Sequence, residues 1–265
     1  VKFGLIGDGI IAKRHKEAIA HVGGDLCWIS DPAINITEGN IGYELRAGSR
    51  IETRLYSAPP APLHYMQVDY VVVCSPTYLH RKQVQEAIYY GSKVICEKPL
   101  CLPWEPLIDD DRINIVLQLR YIEGLPKKAD LVKAIMVRNE EFFRSWKGDP
   151  TLAGGNIYEF FIHYIDLAIL LGADFEGAVY PEGKQAREII TRYEDNGMPM
   201  VSVLDIMLLD MQDLYNRMYA DILNGGGVKP KDIFYLTWIL NRNSELYGYR
   251  NSGKEKTIKI PKSLL

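Results

Sequence analysis

The segment Gly7-Asp8-Gly9-Ile10-Ile11-Ala12 constrains the fold of this chain more than any other. It follows an apolar strand-like run at residues 2–6 and opens a helical pattern at 11–22, where Ala18, Ile19 and Val22 share one face. Glycines at a strand-to-helix turn let backbone amides approach a pyrophosphate, and the helix N-terminus adds a partial positive charge. Gly7, Gly9, Ile10 and Ile11 are therefore expected to hold a dinucleotide. Asp31 closes the next strand-like run, where a carboxylate accepts hydrogen bonds from the adenosine ribose and repels a phosphate. No Arg or Lys follows it closely, which favours NAD over NADP. A plain strand-to-helix turn with a capping Asp uses the same residues.

The first part of the chain alternates short β-rich runs with helical stretches, the pattern of βαβ units and a mostly parallel sheet. Strands are expected at 2–6, 26–30, 70–74, 93–96 and 114–118, with a helix at 79–90 stopped by Gly91. After Arg120 the rhythm changes to a strand at 131–137, a loop through Trp146 and an apolar helix at 157–171. Two or three strands, including 198–209, are expected between Gly172 and Asp210. Helices are expected at 213–223, ending at Gly225-Gly226-Gly227, and at 231–246. The expected fold is an α/β Rossmann domain at 1–120 and a C-terminal α+β domain at 121–265, with a mostly antiparallel open sheet.

With 47% hydrophobic and 25% charged residues the chain can bury a substantial core. A formal net charge of only -3, with both signs interspersed, gives no footprint for nucleic acid or a membrane surface. Cys27, Cys74, Cys96 and Cys101 lack CxxC or zinc-like spacing. They read as buried thiols of a reducing compartment, and no metal site is expected. The sequence opens directly on a strand-like run, without a signal-peptide pattern or a membrane-length apolar stretch, so the cytoplasm is the expected location.

Cys96-Glu97-Lys98-Pro99 lies just past a buried strand, and the carboxyl ends of strands are where open α/β sheets bind ligands. A solvent-facing lysine is the ordinary alternative. Further on, Glu159, His163 and Asp166 fall at helical spacing on one stripe behind Gly154-Gly155. A carboxylate and an imidazole there can converge on one substrate, although a histidine in so apolar a helix is often a hydrogen-bonded core residue.

Together, Gly7 to Ala12 with His15, Cys74-Ser75-Pro76-Thr77-Tyr78-Leu79-His80, Glu97-Lys98-Pro99 and the Gly154-to-Asp166 stretch resemble the Gfo/Idh/MocA family of sugar and polyol dehydrogenases. The resemblance implies a lysine, here Lys98, that contacts the reacting hydroxyl and precedes an often cis proline. It also implies His163 and Glu159 as catalytic and substrate-binding partners. Ser75, Pro76, Thr77, His80, Glu97, Lys98 and Gln118 are implied as further cofactor contacts. Glu159 stands where most of the family has Asp. The stretch 104–112 is shorter than the long helix the resemblance implies.

Several strings are similar to one branch, the UDP-N-acetylglucosaminuronate 3-dehydrogenases of O-antigen sugar synthesis. They include Val116-Leu117-Gln118-Leu119-Arg120, Ser145-Trp146-Lys147-Gly148-Asp149 and Met211-Gln212-Asp213-Leu214-Tyr215. That branch carries Asn at the Glu159 position. The likeness implies a nucleotide-sugar substrate oxidised at its 3-hydroxyl, with Lys98, Glu159 and His163 at the sugar. Arg120 and Lys147 would donate to its anionic groups, and Trp146 would pack on a ring or anchor the loop. It also implies a homodimer or homotetramer joined through the C-terminal sheet. Inositol or another polyol as substrate, and a non-catalytic dinucleotide-sensing protein, are the alternatives.

Overall fold

A computed structural model describes residues 1–33, 54–56, 68–137, 140–180, 187–195, 197–205, 208–234, 236 and 256–264. The chain divides into two units. The first is Val1–Cys101, Leu107–Val116 and Met211–Lys231; the second is Leu102–Pro106, Leu117–Asp210 and Asp232–Leu265. This interleaving differs from a single cut after residue 120, because a late helix returns to the N-terminal unit.

The first unit opens with β1 (Lys2–Ile6), α1 (Ala12–His21), β2 (Asp25–Ser30) and β3 (Arg54–Tyr56). β4 (Tyr70–Val73), α2 (Thr77–Tyr89), β5 (Lys93–Cys96) and β6 (Ile113–Ile115) follow. All six strands pair in parallel, in the order β3-β2-β1-β4-β5-β6. The central strands read as unbroken apolar runs, such as Tyr70-Val71-Val72-Val73, because both faces of a parallel sheet are covered. The order reverses between β1 and β4, so their carboxyl ends flank the crevice where such sheets take ligands. β6 is shorter than the expected strand at 114–118: Gln118–Tyr121 is a 3-10 turn assigned to the second unit. No helix forms over 104–112.

The second unit builds β7 (Leu131–Val137), α3 (Glu140–Arg144), α4 (Pro150–Ala153) and α5 (Asn156–Leu171). β8 (Asp174–Tyr180), β9 (Arg187–Asp195), β10 (Met198–Asp205) and β11 (Lys256–Ile260) complete it. The sheet order is β10-β9-β7-β8-β11. β7 and β8 run parallel and the other neighbours antiparallel, so the sheet is mixed. The parallel pair follows from the crossover through α5, which packs on both strands. Val132, Ala134 and Met136 alternate inward along β7, and Gly177 on β8 leaves room for the Phe161 ring of α5.

Helix α6 (Met211–Leu223) then rejoins the first unit and packs on α1, with Leu214, Tyr215, Met218, Tyr219 and Ile222 buried. The expected helix at 231–246 begins as a 3-10 turn, Pro230–Ile233, and lies mostly outside the described residues. Among the four free cysteines Cys74, Cys96 and Cys101 are buried, whereas Cys27 is half-buried. Among the described residues no helix is long and apolar enough to cross a membrane.

Candidate active site

The glycine turn has the shape a pyrophosphate needs. Gly7 sits at φ 94°, and a Cβ there would lie 2.8 Å from the Cys74 carbonyl and the Ser75 nitrogen, so the turns after β1 and β4 touch only because Gly7 has no side chain. A Cβ at Gly9 would meet no protein atom, leaving open space beside the backbone amides that open α1. Ile10 is fully exposed at the tip. Asp31 does more than end β2: Oδ2 accepts the Asp8 N–H at 2.7 Å and Oδ1 accepts the Ala33 N–H at 2.7 Å. Each oxygen keeps a further lone pair for a ribose hydroxyl. The Asp8 carboxylate, unfavourable beside a pyrophosphate, has the Lys16 ammonium 3.1 Å away.

The turn after β4 supplies Ser75, whose Oγ donates to Gln83 Oε1 at 2.5 Å, Pro76 at the helix cap, and buried Thr77 on the first turn of α2. Buried His80 is a strut between loops. Its Nδ1 lies 2.7 Å from the Pro99 carbonyl oxygen and its Nε2 2.7 Å from that of Ser75. The Lys98–Pro99 bond is cis, in line with the resemblance.

Glu97 precedes Lys98 with its carboxylate turned into the interior. Oε1 accepts the Tyr215 hydroxyl at 2.6 Å and lies 3.2 Å from His15 Nε2, while Oε2 accepts the Lys98 N–H at 3.3 Å. On the other side of the fully buried His15 ring, Nδ1 lies 2.8 Å from Tyr219 Oη. Burial pushes the Glu97 carboxyl up. The His15 hydrogen bond and charge, the Tyr215 hydroxyl and the Lys98 ammonium more than offset this and hold it at about 2. Lys98 itself is half-buried just beyond β5.

In the second unit, α5 starts after Gly154 and Gly155 at φ 81° and 96°, a backbone that would strain other residues. Its stripe of Glu159, half-exposed His163 and Asp166 forms as the spacing predicts. Buried Glu159 lies 3.6 Å from Lys147 Nζ, which also stands 5.5 Å over the Phe142 ring and 5.6 Å over Trp146. Arg120 grips buried Asp166 through Nε and Nη2 at 2.7 and 2.5 Å. This guanidinium, expected to meet substrate, gives two of its N–H groups to α5. Gln118 heads the same 3-10 turn, its Oε1 buried without a hydrogen-bond partner.

The Gfo/Idh/MocA model, described as an oxidoreductase family with an NAD-binding Rossmann fold, matches residues 1–109. The inositol 2-dehydrogenase of Paracoccus denitrificans is 27% identical over 239 residues, 83% of this chain and 69% of that protein. Over its first 109 residues the chain is thus similar to the Gfo/Idh/MocA oxidoreductases. Its cofactor is NAD and its class that of the NAD-dependent dehydrogenases. In fold it is similar to the WlbA (WbpB) dehydrogenase from Thermus thermophilus, solved with NAD and UDP-GlcNAcA. The TM-score is 0.70 at 24% identity, covering 91% of this chain and 94% of that one. It is also similar in fold to the scyllo-inositol dehydrogenase of Lactobacillus casei, solved with NAD(H) and scyllo-inositol. There the TM-score is 0.59 at 15% identity, covering 98% of each chain.

Within the first unit, Gly7, Gly9, Ile10, Ile11, Asp31, Ser75, Pro76, Thr77 and Lys98 gather at the carboxyl ends of β1, β2, β4 and β5. Glu97 and His80, expected among the cofactor contacts, bond to protein partners. No role was expected for Tyr215, Tyr219, Asp8 or Lys16. Of these, Asp8 and Tyr215 stand in strings singled out for their likeness, Asp8 as an acid between two glycines.

Proposed function

We propose that this dehydrogenase oxidises the 3-hydroxyl of a nucleotide sugar, UDP-N-acetylglucosaminuronic acid, in surface polysaccharide synthesis. Bound NAD supplies the hydride acceptor; the glycine turn seats its pyrophosphate and Asp31 its ribose. His163 takes the hydroxyl proton, and the Lys98 ammonium stabilises the developing alkoxide. Glu159, one turn before His163, orients the sugar. The observation that carries the substrate class is Lys147, a cation set beside two aromatic rings and Glu159 in the second unit. A diphosphate and a hexuronate carboxylate call for such a donor, whereas a polyol has no anion to meet it. Remote binding of the nucleotide supports the chemical step, so a free sugar turns over poorly.

Inositol is the second reading, favoured by the 27% identity to an inositol 2-dehydrogenase over most of this chain. Absorbance at the NADH band decides between them. Growth of the band with UDP-N-acetylglucosaminuronate and not with myo-inositol is expected; the reverse overturns the nucleotide-sugar reading. Under the same reading the protein is a homodimer or homotetramer joined through its second sheet, which light scattering tests.

A further inference from the structure

The buried cluster of His15, Glu97, Tyr215 and Tyr219 has no part in the chemistry described above. A carboxylate taken into an apolar interior is stable only with donors around it. Glu97 receives them from two directions: His15 on α1, and Tyr215 on a helix that returns from more than a hundred residues away. Its second oxygen accepts the backbone N–H of Lys98. On the far side of Lys98, the Pro99 carbonyl oxygen lies 2.7 Å from His80 Nδ1, and the Nε2 of the same ring lies 2.7 Å from the Ser75 carbonyl oxygen. Both neighbours of Lys98 are thereby fixed to buried groups, and the lysine is the half-buried member between them.

We propose that His15 and Tyr215 are positioning residues for Lys98, acting through the Glu97 carboxylate, with His80 bracing the opposite side. A lysine side chain has four rotatable bonds, so the atoms that anchor its backbone decide where its ammonium can reach. Misplacement of a reacting group by about 1 Å costs up to ~100-fold in rate. His15 lies on the helix that opens at the glycine turn, so the segment that seats the pyrophosphate also sets the lysine. The inference rests on Lys98 being the group that meets the reacting hydroxyl.

Three variants of the full chain test it. Gln in place of His15 puts an amide nitrogen near the Nε2 position and keeps a donor to Glu97. Asn puts one near Nδ1 and loses it. Tyr215→Phe removes a single oxygen. His15→Asn and Tyr215→Phe are expected to lower kcat by about tenfold or more, with KM for NAD within about twofold. They should also change the rate at which an amine-acylating reagent labels Lys98, read by mass spectrometry without substrate. His15→Gln should recover most of both.

Equal behaviour of the Asn and Gln variants, or unchanged Lys98 labelling in Tyr215→Phe, would overturn the proposal. If the His15 variants fail to fold, Tyr215→Phe against Tyr219→Phe decides, since Tyr219 touches His15 and only Tyr215 bonds Glu97. A Lys98→Met variant that turns over normally defeats the catalytic reading alone, and labelling of the wild-type lysine still tests the positioning.

Discussion

Two buried carboxylates, one in each unit, stand next to the two proposed catalytic groups and are held in contrasting ways. Glu97, beside Lys98, collects donors from α1 and α6 and from the next backbone amide, and it stays at about 2. Asp166, one turn past His163, is gripped by one guanidinium. Burial lifts its carboxyl above the usual range against the pull of Arg120 and with the further push of Asp232. Neutral and charged donors converging on one carboxylate therefore outweigh desolvation at Glu97, while a single fork at Asp166 does not. The first arrangement secures a charge beside the lysine. The second secures a helix.

The sharpest way to break this contrast is to remove the chemistry beside the first carboxylate. Lys98→Met should reduce turnover by about 10³-fold while NAD binding, followed by fluorescence, stays within about twofold. Unchanged turnover removes Lys98 from the mechanism. Arg120→Ala strands Asp166 without its guanidinium and should cost about 3 kcal/mol in urea unfolding; a loss near that of an exposed ion pair would mean that the fork contributes little.

Acid separates the two carboxylates further. The folded value of Glu97 lies below the ordinary 4.5, so it contributes stability above about pH 4.5 that is lost as pH falls toward about 2. The thermal midpoint of the wild type should drop over that window more steeply than that of Glu97→Gln; parallel curves would show that the charge is not held. The smallest effect is expected at the half-exposed Asp31. Asp31→Ala should weaken NAD binding by about tenfold and narrow the preference against NADP, since it removes a charged acceptor. An unaltered cofactor ratio in titration calorimetry would assign the ribose to another residue.

Much of the first unit was legible because its signals are local. The strands at 2–6 and 93–96 match β1 and β5, and α1 and α2 fall within two residues of their expected ends. The glycine turn and Asp31 stand out by residue type and spacing alone. β3 was not seen, being a three-residue strand with no periodicity to read. In the second unit the stripe on α5 was readable at helical spacing. The parallel pairing of β7 with β8 was not, because strand direction depends on how the intervening chain crosses and not on the strands' own residues.

What the residues determined by themselves is the dinucleotide-binding architecture, since alternating apolar runs and a Gly-x-Gly turn fix backbone geometry over a few positions. The partners of the buried polar groups were decided only by the tertiary structure. Arg120 meets Asp166, and Glu97 faces inward. His15 meets Tyr219 across a separation of 204 residues, and Glu97 meets Tyr215 across 118. A hydrogen bond between groups so far apart leaves no trace in local spacing, and it forms because α6 folds back onto α1 and buries four polar side chains that must satisfy one another.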